Sequence, residues 1–202
     1  MLQIDLRAVS VPGNARVWRL FPGSDYKFLN YFTRNGTAFL DLPGMTFPEG
    51  KLTPSAELLA RTLASGKVKE LVLAQEHEAA RAVDWRTFIK SRRTSPRMRL
   101  VSAVINFYQE AKQGDYIIVP SSLANRRVHL GLIVSNEISW TNYRYGENSI
   151  PTRQIKWVGS IDEGKISASL SVSLRHQHAF SLVERSHFIE VFALVNGTYT
   201  YG

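Results

Sequence analysis

Six cations fall within fourteen residues of this chain, Arg86, Lys90, Arg92, Arg93, Arg97 and Arg99. Lysine and arginine at that density are the chemistry of polyanion recognition, because each one that neutralises a phosphate releases condensed counterions. The charge is local. Of the formal +8, residues 1–80 carry 9 basic against 8 acidic side chains (+1), residues 81–100 carry 7 against 1 (+6), and residues 101–202 carry 9 against 8 (+1). One concentrated block points to nucleic acid before it points to an anionic membrane, the bland alternative being a solvated helix face. Arg126 and Arg127, in an expected hairpin, extend the phosphate-contacting set or reach in beside a target base.

A second set of residues suits a nucleobase. Reading one base of a duplex requires extruding it, at a cost of a few kcal/mol that stacking and hydrogen bonds to the base edge must recover. Stacking contributes ~1–3 kcal/mol per base. Trp18, Phe39, Trp140, Tyr143 and Tyr145 are the candidate rings, and Asp41, Asn106, Ser121 and Ser122 the candidate edge readers. The alternation Ser139, Thr141, Tyr143, Tyr145 against Trp140, Asn142, Arg144 predicts a strand with one tyrosine-rich face.

Enzyme chemistry is thinner. Glu163-Gly164-Lys165 has the Glu-x-Lys form that magnesium-dependent nucleases use, set between glycine-bearing turn residues. His176 and His178 alternate as a possible metal pair without a third ligand at metal-site spacing. The chain has no cysteine, which removes disulfides and thiolate chemistry together, and no glycine-rich phosphate loop or nucleophile elbow. No metal, no cofactor and no catalytic residue is expected. The composition, 44% hydrophobic and 21% charged, is that of a folded domain. No apolar run reaches the ~18 residues of a membrane span. An acid within Met1–Arg7, where a secretory signal would be apolar, predicts a cytoplasmic protein.

The elements that must position these residues follow from periodicity and punctuation. Strands are expected at 16–20, 37–42, 116–120, 128–134, 138–145, 154–158 and 179–183. Helical spacing marks Tyr26 to Phe32. Thr53-Pro54 starts a helix that Gly66 would stop, and the region from 67 to 94 reads as helical with poor period. Ser95-Pro96 opens the clearest helix, with Val101, Val104, Ile105, Tyr108 and Ala111 on one face. A last helix begins near His187, and Asn196-Gly197 would end it. The order, with no break in composition, predicts one α+β domain over residues 1–202 whose later strands curve into a sheet or small barrel.

Three segments in order resemble the N-terminal domain of Mrr-type restriction proteins, a branch of the EVE/PUA-like superfamily. They are Val17-Trp18-Arg19-Leu20 with Pro22-Gly23 and Thr37 to Leu40, then Ile105-Asn106-Phe107 with Gly114-Asp115-Tyr116 to Pro120, then Gly131 to Val134, Trp157-Val158-Gly159 and Ser173 to Phe180. The stretch from about 67 to 100 stands out as a basic helical insertion, and Arg144-Tyr145-Gly146 matches the family's pattern only in part. The resemblance implies a small PUA-like, EVE-like curved β-barrel with flanking helices and an aromatic-lined pocket. It further implies a non-catalytic, base-flipping reader of double-stranded DNA carrying a modified base, first a modified cytosine. Such a reader would be the sensor of restriction or antiphage defence, with a nuclease or other effector on another domain or chain. The alternatives are a sensor of a small nucleotide or modified RNA, and a magnesium-dependent nuclease using Glu163 and Lys165.

Overall fold

The computed structural model describes residues 15–176 and 178–195. Its centre is a six-stranded mixed sheet of β1 (Val17–Leu20), β2 (Thr37–Ala38), β3 (Tyr116–Pro120), β4 (Arg127–Thr141), β5 (Ile150–Asp162) and β6 (Phe180–Leu182), in the order β2-β5-β4-β3-β1-β6. Only β1 and β3 pair in parallel. The helices are α1 (Leu29–Asn35), α2 (Ala56–Leu73), α3 (His77–Arg81), α4 (Ser95–Ile105), α5 (Ala168–Leu174) and α6 (Phe188–Val195).

Strand alternation divides the core in two. Trp18, Ile117 and Val119 pack with Leu29 of α1, Leu58 of α2 and Val101 and Val104 of α4, while Val17 and Ile118 pack with Leu170 of α5 and Val191 and Phe192 of α6. The fold is α+β with helices on both faces. In β5 a bulge preserves this sorting. Leu130 pairs with Gly159 and Gly131 with Trp157, so Val158 is the extra residue, and Ile161 and Ile155 face opposite cores despite their even spacing.

The sheet is not closed into a barrel. β2 and β6 end it, and β2 is two residues long where six were expected. Beyond Ala38 the backbone coils, the Leu42 N–H donating to the Leu40 carbonyl at 2.7 Å while Phe39, Leu40 and Leu42 turn into the core. That burial competes with ladder pairing and wins. The two strands expected at 128–134 and 138–145 are one strand, β4, which stops at Thr141 and leaves Tyr143 and Tyr145 in a turn.

Helix α2 starts later than expected, capped by Ser55, which accepts from the Leu58 N–H at 3.1 Å. It runs through Gly66 to Leu73. Glycine inside a helix costs about 1 kcal/mol against alanine, less than the buried face of Leu59, Val68 and Val72 supplies. The helix α4 begins at Ser95 with Pro96 in its first turn, and a π-helical turn continues it to Glu110. The Asn196-Gly197 turn lies outside the described residues.

Candidate base pocket and its basic rim

A cavity of about 270 Å³ opens where the chain leaves β1 and enters β6. Its walls are Phe21, Gly23 and Ser24 after β1, Phe28, the coiled segment Phe39 to Leu42, Gly66 and Lys69 of α2, Leu100 of α4 and Ala179 before β6. The Phe21 N–H donates to the Ala179 carbonyl at 3.0 Å and closes one side. Phe28 and Phe39 meet edge to face with centroids 5.0 Å apart, a packing that fixes both rings. Gly23 is required here. Its φ is +80°, and a Cβ would lie 2.7 Å from the Phe28 ring. Asp25 and Tyr26 follow with φ of 55° and 56°, so a strained turn forms the lip.

One carboxylate lines the cavity. Asp41 accepts from Lys69 Nζ at 2.6 Å, from Lys27 Nζ at 3.2 Å and from the Tyr145 hydroxyl. Burial and the bond to Asp41 push the Tyr145 hydroxyl well above the ordinary phenol range, so it remains a donor. Asp41 is thus an acceptor with two lysine ammonium partners and one phenol donor.

A second hollow of about 230 Å³, walled by Pro96, Arg99, Leu100, His178 and Ala179, shares Leu100 and Ala179 with the first. The cation block therefore reaches the pocket rim through the first turns of α4. Trp85 anchors the block's near end, with the Arg61 guanidinium 4.2 Å from its ring centroid and Glu57 holding Arg61. Arg86, Lys90, Arg92, Arg93, Arg97 and Arg99 are all exposed. Among the described residues Arg86 meets Asp84 at 3.6 Å and the other five have no carboxylate partner. Arg97 donates instead to the Arg92 carbonyl at 3.1 Å.

The nine expected pocket residues do not come together as a set. Phe39 and Asp41 line the cavity, and Tyr145 serves it through Asp41. Tyr143 stands behind the wall, stacked on Tyr31 at 3.9 Å and packed against Phe28 and Phe39. Trp18 is a core residue. Its indole N–H donates to Asp115 at 2.8 Å, and Asp115 also accepts from the Arg16 and Lys112 backbone, which explains the Gly-Asp pair before β3. Asn106 sits in the π-helical turn and accepts through its carbonyl from the Ala111 N–H. Ser121 is buried, accepting from the Arg127 N–H at 2.8 Å, and Ser122 shapes the same hairpin. Trp140 is half exposed beside Phe47. Arg127 lies along β5, bonded to Ser160 at 2.8 and 3.0 Å, so of the two it is Arg126 whose side chain is exposed with no hydrogen bond among the described residues. Phe21, Phe28, Lys27, Lys69, Gly66, Leu100 and His178 carry no local signal of a site. An arginine inside the apolar strand Val17–Leu20 was the one available clue that the loop before β6 is held.

Glu163 occupies a 3-10 turn, Glu163–Lys165, and the residue is 6% exposed. It accepts from Ser171 Oγ at 2.6 Å and from two nitrogens of Arg175. Burial alone would raise its pKa, but these bonds and the charges of Arg175 and Arg126 hold it below the usual carboxylate range. Arg175 goes on to the Tyr26 hydroxyl and the Ser121 carbonyl, both at 3.1 Å, tying the pocket lip to the β3–β4 hairpin. Among the described residues no group of three or more His, Asp or Glu is arranged to hold a metal ion, and no helix is long and apolar enough to cross a membrane. No family model, curated protein or solved structure matches the chain.

Proposed function

We propose that this chain is a non-catalytic, cytoplasmic reader of double-stranded DNA carrying a modified base, in the PUA-like manner that the sequence resemblance implies. The observation that carries the reading is the continuity of an aromatic, base-sized cavity, through Leu100 and Ala179, with a cation block in which five of six side chains have no carboxylate partner among the described residues. Phosphates on the block fix the duplex without reading sequence, and the extruded base supplies the specificity.

Asp41 favours a cytosine. A carboxylate accepts from the exocyclic amino group of cytosine, whereas thymine carries a carbonyl oxygen at that position. Lys27 or Lys69 can swing aside as that amino group arrives, because each ammonium rides on a flexible stem. A substituent on the ring meets the apolar wall of Leu40 and Leu42. The resemblance implies a role in restriction or antiphage defence, with cleavage supplied by an effector domain or partner.

Fluorescence polarisation with two duplexes differing in one modified cytosine tests the proposal. The modified duplex should bind at least tenfold more tightly, the equivalent of ~1.4 kcal/mol. Equal affinities would remove base reading and leave general DNA binding. A free nucleotide sensor shares the pocket but not the need for the block. Its signature is binding that survives replacement of all six cations.

A further inference from the structure

The rim hollow contains a histidine that the base-reading scheme leaves unused. His178 faces Arg99 across a space of about 230 Å³, walled otherwise by Pro96, Leu100 and Ala179. The segment bearing it is held from below. Arg19 of β1, 2% exposed, donates its two terminal nitrogens to the carbonyls of His176 and His178 and its Nε to Ser181 Oγ at 3.3 Å. Burial pushes this guanidinium down to about 10, so a costly buried cation is committed to shaping a surface loop.

The charged and titratable groups facing His178 are Arg99 from α4, Arg19 from β1 and His176 on its own segment, its ring centroid 6.4 Å away. Among the described residues no carboxylate pairs with it. Partial burial first, then the fields of Arg19, Arg99 and His176, hold the imidazole below the ordinary histidine range. The hollow is therefore a cationic seat with one permanent donor and one donor that is neutral at pH 7. An arriving anion supplies the missing negative charge and favours the imidazolium.

We propose that this hollow seats the phosphate of the nucleotide whose base enters the aromatic pocket, with Arg99 as a fixed donor and His178 as a donor that takes one proton from solvent on binding. The base half of this assignment rests on the proposed function above; the phosphate seat does not. The histidine's contribution to phosphate affinity then rises as pH falls, because its bound form holds a proton that the free form lacks.

Histidine Cε1–H NMR titrations of the full chain test the seat with inorganic phosphate as the probe. The expected result is a pKa of His178 raised by about one unit in saturating phosphate, with His77 and His129 unmoved and the rise abolished in Arg99→Gln. No rise at His178, or an equal rise at all the histidines, overturns the seat. A second arm compares deoxycytidine with its 5′- and 3′-monophosphates. One monophosphate should bind about tenfold more tightly than the nucleoside at pH 5.5, the gain expected of charge-assisted bonds, less so at pH 8, and His178→Ala should flatten that pH dependence. If phosphate moves His178 while neither monophosphate exceeds inorganic phosphate, the seat stands and its sharing of one ligand with the base pocket is overturned.

Discussion

Asp41 and Glu163 are both acids hemmed in by cations, and they are placed differently. Glu163 is gripped by the planar guanidinium of Arg175 and by Ser171, its side chain 5% exposed, and the assembly locks three segments together. Asp41 is 14% exposed at a cavity wall, and its cationic partners are two lysines. A guanidinium fork makes directional paired bonds that hold a carboxylate in one geometry, whereas ammonium groups on flexible stems can exchange with an incoming donor. On the proposed reading, partner chemistry and access, not the acid itself, separate a structural lock from a recognition group. The arginines divide the same way. Arg19, Arg153 and Arg175 are bonded to backbone carbonyls in the interior, while those of the 86–99 block stand in solvent.

The largest effect should come from the solvated group. Changing all six block cations to glutamine is expected to cost about a thousandfold in affinity for any duplex at low salt, and to flatten the salt slope by about 0.9 per lost contact. A titration of binding against salt reads both, and an unchanged slope would sever the block from DNA.

Glu163→Gln strands the Arg175 charge. It should destabilise the fold by about 3 kcal/mol, lowering Tm by roughly 6–12 °C, with the modified-to-plain binding ratio intact. Because the native pKa of Glu163 is depressed, its contribution is complete above the ordinary glutamate range and is lost as pH falls through the native value. The variant should lack that part of the acid unfolding profile. A loss of base discrimination with unchanged Tm would reverse the roles assigned to the two acids.

Gly66→Leu sharpens the contrast from the other side. A Cβ at Gly66 meets nothing within 4 Å, and the residue lines the cavity. The larger side chain should fill the pocket and remove ~1–3 kcal/mol of preference for the modified base, leave plain-duplex affinity unchanged, and raise helix stability by a few tenths to 1 kcal/mol. Discrimination that persists would move the base elsewhere. Trp140→Ala should do least, within about 0.5 kcal/mol in stability and with no change in binding, since the ring is half exposed and does not line the cavity.

What could be read in advance was local. β3 follows from Gly114-Asp115 and apolar runs, α4 from Ser95-Pro96 and its i, i+3, i+4 face, and the basic block from counting. The open sheet was not legible, because Phe39 to Leu42 looks like a strand until its burial under α2 outbids pairing. Tyr143 and Tyr145 kept strand alternation in sequence but fall in a turn, which places one behind the wall and the other on Asp41. The cavity is assembled from residues as far apart as Phe21 and Ala179, and no spacing rule links them. Phe39 and Asp41, named for a base because a ring and an acid together suit one, line the cavity; Phe28 and Lys69 resemble a core residue and a solvated helix charge in sequence.

Methyl NMR gives the most direct measurement of the central claim that cavity and rim serve one ligand, because Leu100 and Ala179 belong to both hollows while Leu40 and Leu42 line the cavity alone. With an unmodified duplex, the methyls of Leu100 and Ala179 should shift and those of Leu40 and Leu42 should not. With the matched duplex carrying one modified cytosine, all four residues should shift together at one affinity. Identical shift patterns for the two duplexes, or a modified duplex that leaves Leu40 and Leu42 untouched, would contradict the account.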